Sequence, residues 1–346
     1  MKNLNELVRP NIYALEPYHS ARDEYQGEAQ ILLDANESPY NNPLNRYPDP
    51  LQKQLKQKLS VYKAVDPDQI FTGNGSDEAI DLAYRIFCVP GMDNAVGLRP
   101  SYGMYKVCAD INGVEYRQVP LKADFSLDAQ AVLQVVNPHT KLIFLCTPNN
   151  PTGRSLEAGA VEAILRSFDG IVVVDEAYSD FAQTKPWRLR INDFPNLIVL
   201  NTFSKAFSHA AIRLGMAFAN PQIIDLFNKV KYPYNVNSLT AQAALRLLEA
   251  PYQIDDWTRR ILRERSSLMK AVAELPYCRE VLPTDANFFL ARFDEPDKLY
   301  HYLLSHGIVV RNRSREHLCT GCLRITVGLP AENDQLISAL RCFPDA

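Results

Sequence analysis

Short apolar runs that end in polar residues constrain the fold of this chain more than any other feature of its sequence. The most hydrophobic are TKLIFLCTP (140–148), GIVVVDEAY (170–178) and NLIVLNTFS (196–204). QIFTG, NAVGL, GVEYRQVP and RLGMAFAN have the same character, and helical patterns such as SDEAIDLAYRIFC separate several of them. This alternation predicts an α/β fold, with a mainly parallel sheet covered by helices on both faces. Ligands of such sheets lie beyond the carboxyl ends of the strands, so the polar residues there are the candidate site.

The pattern changes near residue 250. A long amphipathic helix is predicted from Ile254 to Glu274, followed by strands NFFLARF, IVVRN and CLRITVG and helices PDKLYHYLLSHG and NDQLISALRCF. This order predicts a smaller α+β domain. Between residues 29 and 62, AQILLDANE predicts a short strand, SPYNNPLNRYPDP a loop, and Pro50–Tyr62 a helix. We therefore expect an N-terminal arm (1–30), a large domain (31–249) and a small C-terminal domain (250–346).

Composition and charge argue against several classes of protein. The 346 residues carry a formal net charge of −3, which gives no strong field for attracting nucleic acid or an anionic membrane. No apolar run approaches the roughly 18 residues of a membrane span, and MKNLNELVRP lacks the apolar core of a signal peptide. Seven cysteines in this context indicate reduced thiols, and the lone CxxC of Cys319 and Cys322 lacks further zinc ligands. We expect a cytoplasmic protein without a bound metal, nucleic-acid partner or membrane span.

Four loops at predicted strand ends contain groups suited to chemistry. FTGNGSDEA runs through two glycines into a helix whose first N–H groups attract phosphate, unless Ser76 or Asp77 simply caps that helix. NNPTG follows a buried strand, and its alternative is an ordinary Asn-Pro turn. DEAY delivers Asp175 and Tyr178 from a very hydrophobic strand, where a carboxylate requires a cationic partner such as a ligand, an arginine or a helix N-terminus. NTFSKAFSHAAIRLG places Lys205 among small and apolar residues, although alone it also fits a solvated turn.

Together these loops favour pyridoxal 5′-phosphate as a cofactor. A lysine amine forms a Schiff base with an aldehyde, a buried aspartate keeps a ring nitrogen protonated, and a glycine–helix loop holds a phosphate. This cofactor requires all three groups, because its protonated ring is the electron sink for the carbanion formed during reaction.

Five motifs occur in the order of a known family. GNGSDE, PSYGMY, NNPTG, DEAY and SKAF followed by Arg213 resemble fold-type I pyridoxal-phosphate aminotransferases. With EPYHSAR, LDANE, NRYPDP, NFFLARF and CLRITVG, the pattern resembles the histidinol-phosphate aminotransferase family over most of the chain. The resemblance implies a homodimer with its active sites at the subunit boundary. It also implies ping-pong transamination, in histidine biosynthesis, of L-histidinol phosphate with 2-oxoglutarate to imidazole-acetol phosphate and L-glutamate.

The resemblance further implies roles for individual residues. Lys205 matches the lysine that forms the Schiff base and moves the substrate proton, and Asp175 matches the partner of the ring nitrogen. Asn150 and Tyr178 match residues that hydrogen-bond the ring's phenolic oxygen, and Tyr102 matches the aromatic residue stacked on the ring. The residues that match those holding the cofactor's phosphate are Ser76, Asp77, Thr202, Ser204 and Arg213. Tyr47 matches a cofactor-binding tyrosine that reaches in from the neighbouring subunit. The implied substrate-binding residues are Tyr18, Asn150, Arg311 and Arg324.

The substrate residues suit two different anions. An arginine fork binds either the phosphate of histidinol phosphate or the α-carboxylate of glutamate, and a second arginine and a tyrosine suit the extra phosphate oxygens. The alternative for residues 311–315 is a solvated basic loop. Two segments depart from the family pattern. His209 interrupts a usually apolar stretch and is expected to be a packing variant, and CTGC before Arg324 leaves the local loop geometry open.

Other functions fit parts of the pattern. An aromatic amino acid aminotransferase would require an α-carboxylate, and a threonine-phosphate-type decarboxylase would release carbon dioxide without 2-oxoglutarate. LDANE and the arm tyrosine favour the aminotransferase. A pyridoxal-phosphate-binding regulator would require an added DNA-binding module, for which no residues remain. A nicotinamide-binding domain would require a G-x-G-x-x-G motif opening a helix, and the sequence contains none.

Overall fold

The computed structural model describes residues 4–18 and 31–344. Within these ranges, the main sheet contains seven strands in the order β1-β7-β6-β5-β4-β2-β3. They are β1 Ile70–Asn74, β2 Asn94–Arg99, β3 Glu115–Pro120, β4 Thr140–Cys146, β5 Ile171–Asp175, β6 Leu197–Thr202 and β7 Leu214–Ala219. Strands β2 to β6 are parallel, whereas β7 is antiparallel to both β1 and β6. The predicted mainly parallel sheet is confirmed.

Alternate residues of the central strands fill two separate cores, one on each face of the sheet. In β5, Val172 and Val174 belong to the first core, whereas Ile171 and Val173 belong to the second. Strands β4 and β6 alternate in the same way, because successive side chains of a strand point to opposite faces. Burial on both faces explains why these strands are apolar throughout rather than at every second residue.

Helices cover both faces of this sheet. The first ten in the described chain are α1 Leu4–Leu7, α2 Pro10–Tyr13, α3 Lys53–Lys63, α4 Gly75–Phe87, α5 Met104–Ile111, α6 Ala129–Gln134, α7 Ala158–Ser167, α8 Pro221–Val230, α9 Ser238–Leu248 and α10 Tyr252–Ala273. Helices α3, α6, α7 and α9 contribute to the first core, and α4, α5 and α8 to the second. None of the helices in the described ranges is long and apolar enough to cross a membrane.

A second, antiparallel sheet follows helix α10. Its strands are β8 Cys278–Val281, β9 Phe288–Phe293, β10 Arg311–Asn312 and β11 Cys322–Thr326, in the order β10-β11-β9-β8. Helices α11 Pro296–Ser305 and α12 Pro330–Arg341 pack with it around a third core. Helix α10 joins the two parts, with Ile254 in the first core and Leu268 and Val272 in the third. The smaller α+β unit is as predicted, whereas the boundaries at residues 30 and 250 remain predictions.

Three local predictions differ from the structure. Residues 31–37 of the predicted strand AQILLDANE form no strand, and Ile31 and Leu33 are 76% and 90% exposed, so no burial holds them extended. Helix α3 begins three residues later than predicted, because the Asp49 carboxylate accepts the N–H groups of Leu51 and Lys53 and holds a turn there. Of the predicted strand IVVRN, only the last two residues pair, and Val309 is exposed.

Candidate active site

A cavity of about 410 Å³ lies at the carboxyl ends of β4, β5 and β6, where the polar residues that follow these strands converge. The start of α4 and strands β10 and β11 complete its wall. All predicted site residues except Tyr18 and Tyr47 line it, namely Ser76, Asp77, Tyr102, Asn150, Asp175, Tyr178, Thr202, Ser204, Lys205, Arg213, Arg311 and Arg324.

Lys205 lies half-buried in the turn that follows β6, with its Nζ 5.5 Å from the centroid of the Tyr178 ring. Buried apolar side chains on either side anchor this turn, namely Phe203, Ala206 and Phe207. Burial lowers the pKa of Lys205, the nearby Arg324 lowers it further, and Asp175 opposes this shift. A lower pKa increases the fraction of neutral amine, which is the form that attacks a carbonyl carbon.

Asp175 is the last residue of β5 and is 2% exposed. Its Oδ2 accepts a hydrogen bond from the Tyr105 hydroxyl at 2.7 Å, and its Oδ1 accepts one from the N–H of Ala177 at 3.0 Å. Neither an arginine nor any other cation of the described chain forms an ion pair with it, so the expected cationic partner is not a protein group there. Burial raises the pKa of Asp175, although the hydrogen bond from Tyr105 lowers it. A cationic N–H donor in the cavity would stabilise the carboxylate.

Tyr105 is a functional candidate that the motifs did not identify. It is fully buried in α5, it packs edge-on against Tyr102 with ring centroids 5.5 Å apart, and it stacks on Phe144 at 4.9 Å. It therefore connects the Asp175 carboxylate to the aromatic ring that lines the cavity. The signal available in the sequence was its position three residues after Tyr102, which puts both rings on one side of the chain.

Asn150 and Tyr178 lie between Lys205 and the second sheet. The Asn150 side chain is buried, and its Oδ1 accepts a hydrogen bond of 2.6 Å from Arg324 Nη1. This bond leaves the amide N–H groups of Asn150 as donors. Tyr178 is 7% exposed and packs edge-on against Phe288, and burial raises the pKa of its hydroxyl, which therefore stays a proton donor near neutral pH.

The opposite end of the cavity is formed by the start of α4 and the turn before β7. Asn74 is the N-cap residue of α4 and makes no side-chain capping bond, so the alternative of capping by Ser76 or Asp77 is wrong. The Asp77 carboxylate instead accepts the Tyr102 hydroxyl at 3.1 Å and pairs with Arg213 at 3.5 Å. Since the first N–H groups of a helix have no intrahelical acceptor, this helix start and Arg213 together form an anion-binding corner.

Close backbone approach shapes this corner. The N–H of Gly75 donates to the carbonyl of Arg213 at 2.8 Å, and a Cβ added to Gly215 would lie 2.1 Å from backbone atoms of Gly75 and Ser76. Arg213 Nη1 reaches Ser204 Oγ at 3.4 Å, and Ser204 Oγ is 3.1 Å from the Thr202 hydroxyl. The five residues predicted to hold the cofactor's phosphate are therefore brought together.

Arginines from the second sheet form the remaining wall. Arg311 and Arg324 are directly opposite in the antiparallel pair β10–β11. Burial lowers the pKa of Arg324, and Arg313 and Arg311 lower it further. Arg313 also lines the cavity, and its side chain is 19% exposed, so the solvated-loop alternative is wrong for this residue. No role was predicted for Arg313.

Tyr18 and Tyr47 lie outside the cavity. Tyr18 is 70% exposed, and Tyr47 is 50% exposed and stacks on Tyr234 with ring centroids 4.4 Å apart. Residues 19–30, which include part of EPYHSAR and of the predicted arm, fall outside the described ranges. The substrate role of Tyr18 and the cofactor role of Tyr47 therefore stay predictions.

The two departures from the family pattern have structural roles. His209 Nδ1 lies 2.7 Å from the carbonyl oxygen of Phe207, and its ring lies beside Trp257 rather than in the cavity. Cys319 and Cys322 are fully buried, and burial raises their pKa values to about 12 and about 11, so both are protonated thiols near neutral pH. Residues 4–18 and 31–344 contain no cluster of three or more side chains that could hold a metal ion.

Comparison with known proteins identifies the class of protein that this fold and cavity define. Residues 24–340 match the family model described as aminotransferase class I and II, and the chain belongs to this family. It is similar to the histidinol-phosphate aminotransferase of Bacteroides fragilis (strain YCH46), with 55% identity over 344 residues, which cover 99% of this chain and 100% of that protein.

Solved structures agree with this assignment. The chain is similar to the crystal structure of histidinol-phosphate aminotransferase from Sinorhizobium meliloti in complex with pyridoxal-5′-phosphate. The TM-score is 0.78 and the identity 26%, with 86% of this chain and 82% of that chain covered. It is also similar to L-threonine-O-3-phosphate decarboxylase from Porphyromonas gingivalis, with a TM-score of 0.72, 25% identity, and 86% and 93% of the two chains covered.

Proposed function

We propose that this chain transfers the amino group of L-histidinol phosphate to 2-oxoglutarate, giving imidazole-acetol phosphate and L-glutamate, with pyridoxal 5′-phosphate as cofactor. The observation that carries the proposal is the composition of one cavity. A half-buried lysine and a buried carboxylate lie beside an anion-binding corner, and arginines face them from the second sheet. The similarity to histidinol-phosphate aminotransferases over the whole length of the chain supports this substrate.

The residues of the cavity fit the proposed cofactor. Asp175 is a buried carboxylate whose hydrogen bonds come only from neutral donors, and a protonated pyridine nitrogen would supply the cation that it needs. The start of α4 and Arg213 suit the cofactor's phosphate, with Ser76, Thr202 and Ser204 as hydroxyl donors. Tyr102 supplies an aromatic face, and Asn150 and Tyr178 supply donors for a phenolic oxygen.

Each residue then has a chemical task. Pyridoxal phosphate, when bound, supplies the electron sink for negative charge that develops at the substrate Cα. Lys205 Nζ would carry the proton from the Cα of the amino donor to the cofactor's C4′ and, in the second half-reaction, from C4′ to the Cα of the glutamate being formed. Asp175 would hold the proton on the ring nitrogen, and the Tyr105 hydroxyl holds Asp175 in place by its hydrogen bond. Burial of these groups excludes water and strengthens their electrostatic interactions.

The arginines account for the alternation of two amino donors in one site. Histidinol phosphate carries a phosphate where glutamate carries its α-carboxylate, and a guanidinium group binds either anion through two parallel N–H bonds. Arg324 is fixed by its hydrogen bond to Asn150, and Arg311 faces it across the strand pair. We propose that Tyr18 adds a donor to the same anion from the N-terminal arm.

We also propose that the enzyme is a cytoplasmic homodimer. Large apolar side chains in residues 31–47 are exposed on the single chain, namely Ile31, Leu33, Tyr40, Leu44 and Tyr47. Packing of this segment against a second subunit would bury them and would bring Tyr47 towards the partner's cofactor. The cysteines that the structure describes are free thiols, which suits a reducing compartment.

A single-turnover spectral titration tests the proposed reaction. Purified holoenzyme is mixed separately with L-histidinol phosphate, L-phenylalanine and L-threonine phosphate in the absence of any keto acid, and the cofactor absorbance and released carbon dioxide are followed. A rapid change of the cofactor absorbance on mixing with L-histidinol phosphate supports the proposal. Preference for phenylalanine would instead indicate an aromatic aminotransferase, and carbon dioxide from threonine phosphate would indicate a decarboxylase.

A further inference from the structure

Three arginines lie on one side of the strand pair β10–β11. Arg311 and Arg324 are directly opposite, and side chains two residues apart along a strand share a face, so Arg313 is expected on the same side as Arg311. All three line the cavity. The N–H of Arg313 donates to the carbonyl of Cys322 at 2.9 Å, and this bond holds the residue beside β11 beyond the end of β10. The buried Cys319 and Cys322 anchor the same loop from within.

Within the described residues, Arg313 and Arg324 each have an Nε atom without a hydrogen-bond partner, on the corresponding edge of the guanidinium group. Arg324 donates from Nη1 to Asn150, and Arg313 donates from Nη1 to Glu316. The Nε atoms of both arginines are buried and have no hydrogen-bond partner in the described chain. In each guanidinium the Nε–H and Nη2 groups form the second fork, which binds two oxygens of one anion. A buried N–H without an acceptor is costly, and both arginines line the same cavity, which favours an anionic ligand beside them.

We infer that Arg313 is a specificity-determining residue that recognises the phosphate of the amino donor. This inference rests on the proposed function. A carboxylate has two oxygens and is satisfied by the single fork of Arg324, whereas a phosphate monoester dianion has three terminal oxygens and accepts a second fork. Arg313 therefore contributes to binding of the phosphate-bearing substrate and contributes little to binding of glutamate.

Glu316 reduces the electrostatic cost of placing a third arginine in this cavity. Three guanidinium groups repel one another, and the Arg313–Glu316 ion pair offsets part of that charge when the cavity holds only a monoanion. Arg315 provides a matched control, because it belongs to the same loop and carries the same charge but is exposed and does not line the cavity.

The test compares half-reactions of the holoenzyme for wild type, Arg313→Gln and Arg315→Gln. Second-order rate constants are measured with L-histidinol phosphate, with L-histidinol, which lacks only the phosphate, and with L-glutamate. We expect Arg313→Gln to lower the constant for histidinol phosphate by about 10- to 100-fold, the usual worth of charge-assisted hydrogen bonds. The constants for histidinol and glutamate should change by less than about threefold, as should all constants of Arg315→Gln.

Equal losses with histidinol phosphate and histidinol would overturn the inference, as would no loss with either substrate. A misfolded variant is recognised by its circular dichroism, whereas a folded variant that also loses the glutamate half-reaction would overturn the inference. Failure of the wild type to react with histidinol phosphate would refute the proposed function instead. In that case, inhibition of the glutamate half-reaction by inorganic phosphate tests anion binding at the same subsite. We expect this inhibition to be at least about tenfold weaker in Arg313→Gln than in wild type. Equal inhibition of both proteins would overturn the role of Arg313.

Discussion

Lys205 and Asp175 show how burial prepares two opposite charges for different tasks. Burial lowers the pKa of the lysine and raises that of the aspartate, because a low-dielectric environment disfavours either charged form. The lysine benefits, since its reactive form is neutral. The aspartate must be ionised to hold a ring-nitrogen proton, and its two hydrogen-bond donors offset part of the cost of burial.

Lys205→Ala should abolish turnover while the fold persists. We expect a loss of at least about 10³-fold, since both the nucleophile and the proton carrier are removed. The structure shows no hydrogen bond from the Lys205 side chain to any described residue, so the thermal midpoint should change little. Single-turnover kinetics and circular dichroism measure the two effects, with the exposed Lys185→Ala as a control. A variant that keeps a tenth of the wild-type rate would refute the role of Lys205.

Asp175→Asn should keep the size of the side chain but remove the charge that stabilises a protonated ring. We expect kcat to fall by about 10²- to 10³-fold with the cofactor still bound. Tyr105→Phe removes one of the two donors to Asp175 and should lower kcat less, by about tenfold. Steady-state rates and cofactor absorbance distinguish these effects. Near-normal kcat in Asp175→Asn would contradict its assignment.

Glu176 predicts a pH dependence of stability rather than of catalysis. Its Oε1 accepts the N–H of Trp187, its Oε2 is buried and has no partner in the described chain, and burial raises its pKa from 4.5 to about 7. The native state therefore favours the protonated acid. Below pH 4.5 Glu176 is protonated in both native and unfolded states, and above pH 7 it is ionised in both. Its contribution to stability is therefore lost as the pH rises from 4.5 to 7.

Glu176→Gln should remove this pH dependence. Relative to wild type, the variant should gain stability between pH 5 and pH 8, by on the order of a few kcal/mol. Thermal or urea unfolding at both pH values gives the difference, and the common contribution of other carboxyl groups cancels. Parallel stability profiles for the two proteins would show that Glu176 has an ordinary pKa in the native state.

At the scale of elements, the anion-binding corner depends on contact between β7 and the start of α4. Gly215→Ala would place a Cβ 2.1 Å from the backbone of residues 75 and 76, and backbone atoms cannot rotate away as a side chain can. We expect the helix start to shift and the affinity for pyridoxal phosphate to fall by at least about tenfold, since small displacements of a preorganised site are costly. Cofactor titration of the apoenzyme measures the change.

Gly159→Ala is the matched control for that substitution. Gly159 lies in α7, and a Cβ there meets no atom within 4 Å. Alanine is the better helix former by up to about 1 kcal/mol, so this variant should be slightly more stable and bind cofactor normally. Normal cofactor affinity in Gly215→Ala would show that the close approach does not shape the phosphate corner.

Some elements could be predicted from the sequence because both of their faces are buried. Strands β4, β5 and β6 are apolar throughout since both faces are covered, and the polar residues that follow them form the cavity. The antiparallel direction of β7 could not be predicted, because burial on both faces gives the same continuous apolar pattern in parallel and antiparallel strands. The strand predicted at residues 31–37 is absent because their apolar side chains are exposed in the single chain and no burial stabilises an extended strand there.

Some functional side chains could likewise be predicted from the sequence, whereas others could not. Lys205 and Asp175 were predicted because their chemistry and their position at strand ends coincide. Tyr105 and Arg313 were not, because the tyrosine acquires its role through Asp175, 70 residues away, and the arginine acquires its role through the loop path that holds it beside β11 and in the cavity. Such partners are set by strand order and loop path, which the local sequence does not encode.

At the scale of the whole molecule, the position of Tyr47 is the main reason to expect a shared active site. Tyr47 lies outside the cavity of its own chain and belongs to a segment, residues 31–47, that carries several exposed large apolar side chains. A two-fold interface over this segment would bury its apolar side chains and exchange Tyr47 between the subunits. Sedimentation should then give twice the monomer mass at micromolar concentration.

Hybrid dimers test whether Tyr47 acts on the neighbouring site. Lys205→Ala and Tyr47→Ala are each prepared as pure proteins of low activity, mixed in equal amounts and allowed to exchange subunits. If Tyr47 serves the partner's cofactor, each hybrid contains one site with both native residues, and random exchange restores roughly a quarter of the wild-type sites. If Tyr47 serves its own subunit, no site regains both residues, and the mixture is no more active than its components. A mixture of Lys205→Ala with Asp175→Asn is the control, because both residues line the cavity of one chain and no hybrid site regains both.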